Sequence, residues 1–214
     1  DSSGGAIRKP NGDAYNFSKD TIDEAKNGDF AKEIRLSMLN GQKHKACQVC
    51  WNKEEVGVAS KRQTSNRWYN WFNLEKAKQL TAEDGSTTAE PVYWDLRFGN
   101  LCNLKCVMCH PASSSQWYED YILVEGGNSY YDNGKKITLD RNKKGRLVAT
   151  NGTYDWHESD DFWNHMESKI PYLKQVYLVG GEPLMIEKHY GFLQKIIDAG
   201  RANEVTLEYD TNLT

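Results

Sequence analysis

Three short runs, 92–98, 175–179 and 205–209, are rich in β-branched and aromatic residues, and stretches with helical periodicity lie between them. This order of strand, helix, strand, helix, strand most limits what the chain can fold into. Strands joined through helices pair in parallel, which predicts βαβ units and the α/β class. The run 175–179 is apolar on both faces, as in a parallel strand covered on both sides. The helices between the strands are expected at 113–124, with Ser114 or Ser115 near its start, and at 160–169, ahead of Pro171. Another is expected at 187–199, with Leu193, Ile196 and Ile197 on one face and Gly200 as its stop. Residues 125–155 read as an insertion, in which Asn133-Gly134 marks a hairpin and Asn151-Gly152 a further turn. Three strands alone would leave an open sheet edge, so more of the sheet is expected beyond Thr214.

The first ninety residues have a different character. Residues 1–18 are rich in Gly, Ser and Asn and read as coil. Asp29 can cap a helix that carries Ile34 and Met38 on one face and ends at Asn40-Gly41. A second helical stretch is expected at 64–78, where Trp68, Tyr69, Trp71 and Phe72 read as core residues. The polar stretch 81–90, with Gly85, reads as a linker to Pro91. The expected organisation is a mostly helical segment at 1–90 and a strand-bearing region at 91–214. A hydrophobic content of 38%, with seven Trp and twelve Tyr, supports a packed core and argues against disorder. The net charge of −3 gives no basic footprint for nucleic acid. No run is long and apolar enough to span a bilayer, and Asp1-Ser2-Ser3-Gly4-Gly5 has neither the basic nor the apolar region of a signal peptide. A cytoplasmic protein without a membrane partner is therefore expected.

The five cysteines fall in two places, Cys47/Cys50 and Cys102/Cys106/Cys109. An odd, clustered set points to metal or redox use rather than a disulfide frame. Cys102-Asn103-Leu104-Lys105-Cys106-Val107-Met108-Cys109 puts three soft thiolates on a loop at the end of the first strand, which suits an iron–sulfur cluster. A cubane needs four ligands, so three cysteines leave one iron open. Competing assignments exist. Cys106-Val107-Met108-Cys109-His110 also fits covalent haem attachment, but leaves Cys102 unexplained. Zinc shared by Cys47/Cys50 and Cys106/Cys109 leaves Cys102 over as well, and a non-catalytic, closed electron-transfer cluster is a further alternative. His44, His110, His157, His165 and His189 read as surface or helix-packing residues, and Arg141, Lys143, Lys144 and Arg146 as a solvated hairpin or loop. Gly180-Gly181 ends the second strand and permits a close backbone approach, with an ordinary turn as the plainer alternative.

The C-x3-C-x2-C spacing of these cysteines resembles the signature of the radical S-adenosylmethionine superfamily. Gly180-Gly181-Glu182-Pro183 is similar to that family's GGE motif, and Asp210-Thr211-Asn212 to the Thr-Asn often found after its third strand. Arg97-Phe98-Gly99-Asn100-Leu101, together with Cys47-x2-Cys50-x3-Glu54-x2-Gly57-x2-Ser60, resembles the twitch or SPASM-type subgroup. The resemblance covers about residues 30–214 and is weakest over 125–155. It implies the front part of a partial (β/α)6 TIM-like barrel with parallel strands. It also implies an oxidoreductase whose 4Fe-4S cluster, held by Cys102, Cys106 and Cys109, reductively cleaves S-adenosylmethionine. By the same resemblance Gly180, Gly181, Glu182, Pro183, Met108, Thr211 and Asn212 contact that cofactor, with Gly181 and Glu182 offering backbone groups to its ammonium. Cys47 and Cys50 would serve an auxiliary iron–sulfur cluster or zinc. The implied partners are a reducing donor such as flavodoxin or ferredoxin and a peptide or small-molecule substrate.

Overall fold

The structure, a computed structural model, describes residues 7–16, 19–132, 134–151, 154 and 156–213. The chain start, Asn133 and Gly152 of the two expected turns, and Thr214 lie outside the described residues. The chain divides into two compact units, 1–90 and 91–214.

The first unit is helical. A short helix, α1 (Ile22–Lys26), is nucleated by reciprocal hydrogen bonds between Thr21 and Glu24, a capping box that the sequence reading passed over. The helix α2 (Asp29–Leu39) is capped by Gly28, while Asp29 sits in its first turn, where a carboxylate complements the helix dipole. Then follow α3 (Gln48–Glu55), α4 (Lys61–Trp68) and α5 (Leu74–Gln79). The helix expected at 64–78 is thus two helices. Ser60 caps the first, Tyr69 leaves helical geometry, and the Asn73 side chain caps the second. The aromatic run falls on this break, so its rings share no single stripe. Trp68, Trp71 and Phe72 are exposed rather than core, which corrects the expectation. Residues 81–90 are not an open linker either. Thr81 and Thr87 bridge, the Asn27 side chain accepts from the Thr87 N–H at 2.8 Å, and Arg35 donates to the Gly85 carbonyl.

The second unit holds two sheets. The parallel sheet contains β1 (Tyr93–Arg97), β5 (Gln175–Val179) and β6 (Thr206–Tyr209) in the order β1-β5-β6. Trp94 pairs with Val176, Leu96 with Leu178, and Val176 with Leu207. Trp94, Leu96, Val176 and Leu178 form the buried face. Against it lie α7 (Asp160–Glu167) and α8 (Glu187–Asp198): Trp94 stacks on Phe192 at 6.4 Å, and Trp163 meets Phe192 at 5.5 Å. The inward stripe of α8 is His189, Phe192 and Ile196, with Leu193 half-buried and Ile197 exposed. The register is therefore rotated from the expected Leu193/Ile196/Ile197 face, because His189 buries as an uncharged ring. Burial of its imidazole pushes its pKa down, and Nε2 lies 3.2 Å from the Tyr209 hydroxyl. On the opposite face Asp95 and Arg97 are exposed and β5 is half-buried, so β5 is fully covered on one side only.

The insertion folds as an antiparallel meander of β2 (Ser129–Asp132), β3 (Lys135–Arg141) and β4 (Leu147–Ala149). It packs on α6 (Tyr118–Glu125) through a core of Tyr118, Tyr130, Ile137 and Leu139. The first hairpin was legible in the sequence; the second sheet as such was not. Its third strand has only three residues, and it is created by a side chain. The Asn142 oxygen accepts from the Lys144 and Arg146 N–H groups at 2.9 and 3.1 Å and folds the chain back. Of the basic run, Arg141 pairs with Glu119 at 2.8 Å, while Lys143 and Lys144 lie on this turn.

Candidate metal centre

The ends of β1, β5 and β6 carry the three sequence motifs. Beyond β1, the Phe98 N–H extends the ladder to the Val179 carbonyl at 2.8 Å, and the Phe98 ring is wholly buried between Trp156, Trp163 and His189. The cysteine loop starts from this fixed point. Asn100 is buried and its amide donates to the Pro111 carbonyl at 2.7 Å and to the Tyr118 hydroxyl at 2.6 Å, which ties the two ends of the loop together. The Ser114 hydroxyl donates to the Leu104 carbonyl at 2.7 Å, Gln116 to the Cys102 carbonyl at 3.2 Å, and the Trp117 indole to the Cys106 carbonyl at 3.1 Å. Backbone polar groups in such a loop need partners, and side chains from its own C-terminal flank supply them. Sequence reasoning quoted Asn100 only as part of a motif and missed Gln116 and Trp117; polar residues hemming in a cysteine cluster were the available signal.

All five cysteines are free thiols. Cys102 is buried, Cys109 is half-buried and Cys106 is exposed. Two N–H groups point at the Cys102 sulfur, from Leu104 at 3.4 Å and from the Asn212 amide at 3.7 Å. Burial, with Cys106 and Cys102 close by, pushes the Cys109 thiol up. As thiolates, sulfurs sharing one loop would repel one another unless cations join them, and a metal reverses the upward shift by deprotonating its ligands. The thiol donors and the two N–H groups on the Cys102 sulfur therefore fit an iron–sulfur cluster. Among the described residues no three His, Cys, Asp or Glu side chains converge as ligands of one metal ion. At the loop tip Val107 and Met108 are 96% and 93% exposed. His110 is held locally: its Nδ1 accepts from the Ala112 N–H at 3.3 Å, and its ring packs on Tyr121 and Tyr130.

The glycines make their close approach to this loop. Gly180 and Gly181 have φ of +94° and +57°. A Cβ on Gly181 would lie 2.1 Å from the Leu101 carbonyl oxygen, and one on Gly180 would lie 2.9 Å from the Phe98 nitrogen. The next N–H, of Glu182, donates to Leu101 at 2.7 Å, and the Glu182 carbonyl accepts from Met185 at 3.1 Å. The Glu182 backbone is thus engaged internally, whereas among the described residues the backbone of Gly180 and Gly181 takes part in no hydrogen bond outside the strand ladder. Pro183 begins a 3-10 turn and is buried.

Glu182 itself is completely buried. It accepts from the Thr211 hydroxyl at 2.6 Å, the Asn212 N–H at 2.8 Å and the Leu184 N–H at 3.0 Å. Burial alone would raise its pKa, but these donors outweigh burial and hold the carboxyl below its usual range. A continuous path therefore runs from Glu182 through Asn212 to the Cys102 sulfur, linking positions far apart in sequence.

In the first unit, Cys47 closes a 3-10 turn and Cys50 lies in the first half of α3. Burial and Cys50 push the Cys47 thiol up, against the nearby Arg62. The rest of the upstream pattern is structural. Glu54 accepts from the Ser60 hydroxyl and from Arg62, whose guanidinium also stacks over Trp51 at 4.5 Å. Among the described residues no helix is long and apolar enough to cross a membrane. Comparison with protein families, curated proteins and solved structures returns no match for this chain.

Proposed function

We propose that Cys102, Cys106 and Cys109 hold a 4Fe-4S cluster with one open iron, and that the chain is part of a radical S-adenosylmethionine enzyme whose parallel strands belong to a partial TIM-like barrel. The observation that carries this reading is the Glu182–Asn212–Cys102 path, which draws the three motifs to one end of one parallel sheet. Ligands of parallel α/β folds gather at that end.

A cluster held there would supply the electron for reductive cleavage of S-adenosylmethionine at its carbon–sulfur bond. The chain's own residues position and shield. The two N–H groups on the Cys102 sulfur orient that ligand and tune its charge. The backbone of Gly180 and Gly181 would receive the cofactor's amino-acid end. Thr211 and Asn212 act first through Glu182, which they keep ionised and fixed. Exposed Met108 offers an apolar surface to the adenine. Cys47 and Cys50 serve an auxiliary cluster or zinc, and a flavodoxin or ferredoxin supplies electrons in the cytoplasm.

Anaerobic reconstitution with iron and sulfide tests the reading. The reduced protein should show an electron paramagnetic resonance signal that shifts on adding S-adenosylmethionine, and Cys102→Ala, Cys106→Ala and Cys109→Ala should each lose it. A spectrum indifferent to the cofactor would instead indicate zinc or a closed cluster, and a haem stain surviving denaturation would indicate covalent haem.

A further inference from the structure

Beside the cysteine loop lies a cleft of about 850 Å³, well within the size range of ligand sites. Asn100, Leu101 and Gln116 line one side, and β4 with Arg146 lines another. The hydrogen-bond pattern of β4 fixes which of its backbone groups face away from the sheet. Thr150 donates to Thr138 and Asn142 to Arg146, each at 2.9 Å, so bonded pairs recur at every second residue and include Asp140 with Val148. Leu147 and Ala149 therefore turn their N–H and C=O groups to the open edge, and no hydrogen bond among the described residues takes them up. The cleft's carboxylates have partners: Glu119 pairs with Arg141 at 2.8 Å, and Glu158 lies 3.2 Å from His157. Exposed Arg146 makes no ion pair among the described residues.

We propose that this cleft binds an extended peptide that adds to the β4 edge and sets an acidic side chain against Arg146. Main-chain pairing supplies affinity and the guanidinium supplies register. Three residues of β4 span about 10 Å, enough for two main-chain contacts on one side. That the peptide is the substrate rests on the radical-enzyme reading, which also brings it alongside Cys102. The binding itself does not rest on that reading and can be measured on iron-free protein.

The test is fluorescence anisotropy of the reduced, iron-free 214-residue chain with a fluorescein-labelled heptapeptide of alternating valine and threonine bearing a central glutamate. Saturable binding is expected, weakened about tenfold when lysine replaces the glutamate. N-methylation of one alternate set of peptide nitrogens should abolish binding, and methylation of the other set should leave it within about twofold. Arg146→Gln, a surface change that leaves the circular dichroism spectrum intact, should equalise the glutamate and lysine peptides. Absence of binding at millimolar protein would overturn the proposal, as would equal tolerance of both methylation patterns. Pyrophosphate binding that depends on Arg146 while no peptide binds would reassign the cleft to phosphate ligands. Failure of the cofactor-dependent spectrum with peptide binding intact would remove only the radical chemistry.

Discussion

Glu182 is a fully buried carboxylate kept charged by three donors. Its pKa is lower folded than unfolded, so the stability it contributes is complete above the unfolded value of about 4.3 and is lost as pH falls through the folded value. His189 acts at higher pH. Its folded pKa is also depressed, so its contribution is present above about 6.5 and is lost on acidification, because only the unfolded state readily takes the proton. Thermal melts across pH should show two losses, one below neutrality and one in the acid range. Glu182→Gln should shrink the second, to which other paired carboxylates such as Asp84 and Glu54 also contribute, keep the first, and cost about 2 kcal/mol at pH 7. A Glu182→Gln protein with the wild-type acid profile would refute that assignment. At this scale the sequence was informative where chemistry is local. The three cysteines and the Gly-Gly-Glu-Pro run stood out by type and spacing. It said nothing of Asn212 reaching the Cys102 sulfur, since that contact spans 110 residues and exists only once β1 and β6 flank β5.

At the scale of elements, the β5 turn and the cysteine loop form one packed unit. Gly181→Ala would force a methyl group into the Leu101 carbonyl in a left-handed backbone, at a cost of about 1–3 kcal/mol or more. The variant is therefore expected to lose reconstituted iron along with cofactor affinity, measured by iron assay and calorimetry; full iron content with weak cofactor binding would show that the turn meets only the ligand. Phe98 anchors the other end, and Phe98→Ala should cost about 3–5 kcal/mol in denaturant melts, with the loop loosened first. The parallel strands and their helices were legible from periodicity and from Ser114 near a helix start, whereas the Ser159 cap was not singled out. The β4 strand escaped because three residues carry no period. The break at Tyr69 escaped because Asn73, an ordinary polar residue in sequence, acts as a cap only where the chain has already turned.

For the molecule as a whole, the two thiol groups lie in separate compact units. The double variant Cys47→Ser/Cys50→Ser is accordingly expected to lower total bound metal while leaving the cofactor-sensitive resonance of the Cys102 loop unchanged; its disappearance would mean that the two sets cooperate. The division near Pro91 was visible as a change in composition, whereas the packing of 81–90 on α2 was not, since its contacts run through Asn27, Lys32 and Arg35. One more consequence follows from the last strand. The Thr206 and Asp210 N–H groups donate to the Lys174 and Leu178 carbonyls at 2.9 and 3.1 Å, so alternation turns the backbone of Leu207 and Tyr209 outward. Such a row is a template for any passing strand. Pairing of this edge with the same edge of a second copy is two-fold and closes on itself, so mass in sedimentation runs should rise with concentration to a plateau at twice the chain mass. Dilution should reverse it, which makes working concentration a handling variable as important as oxygen.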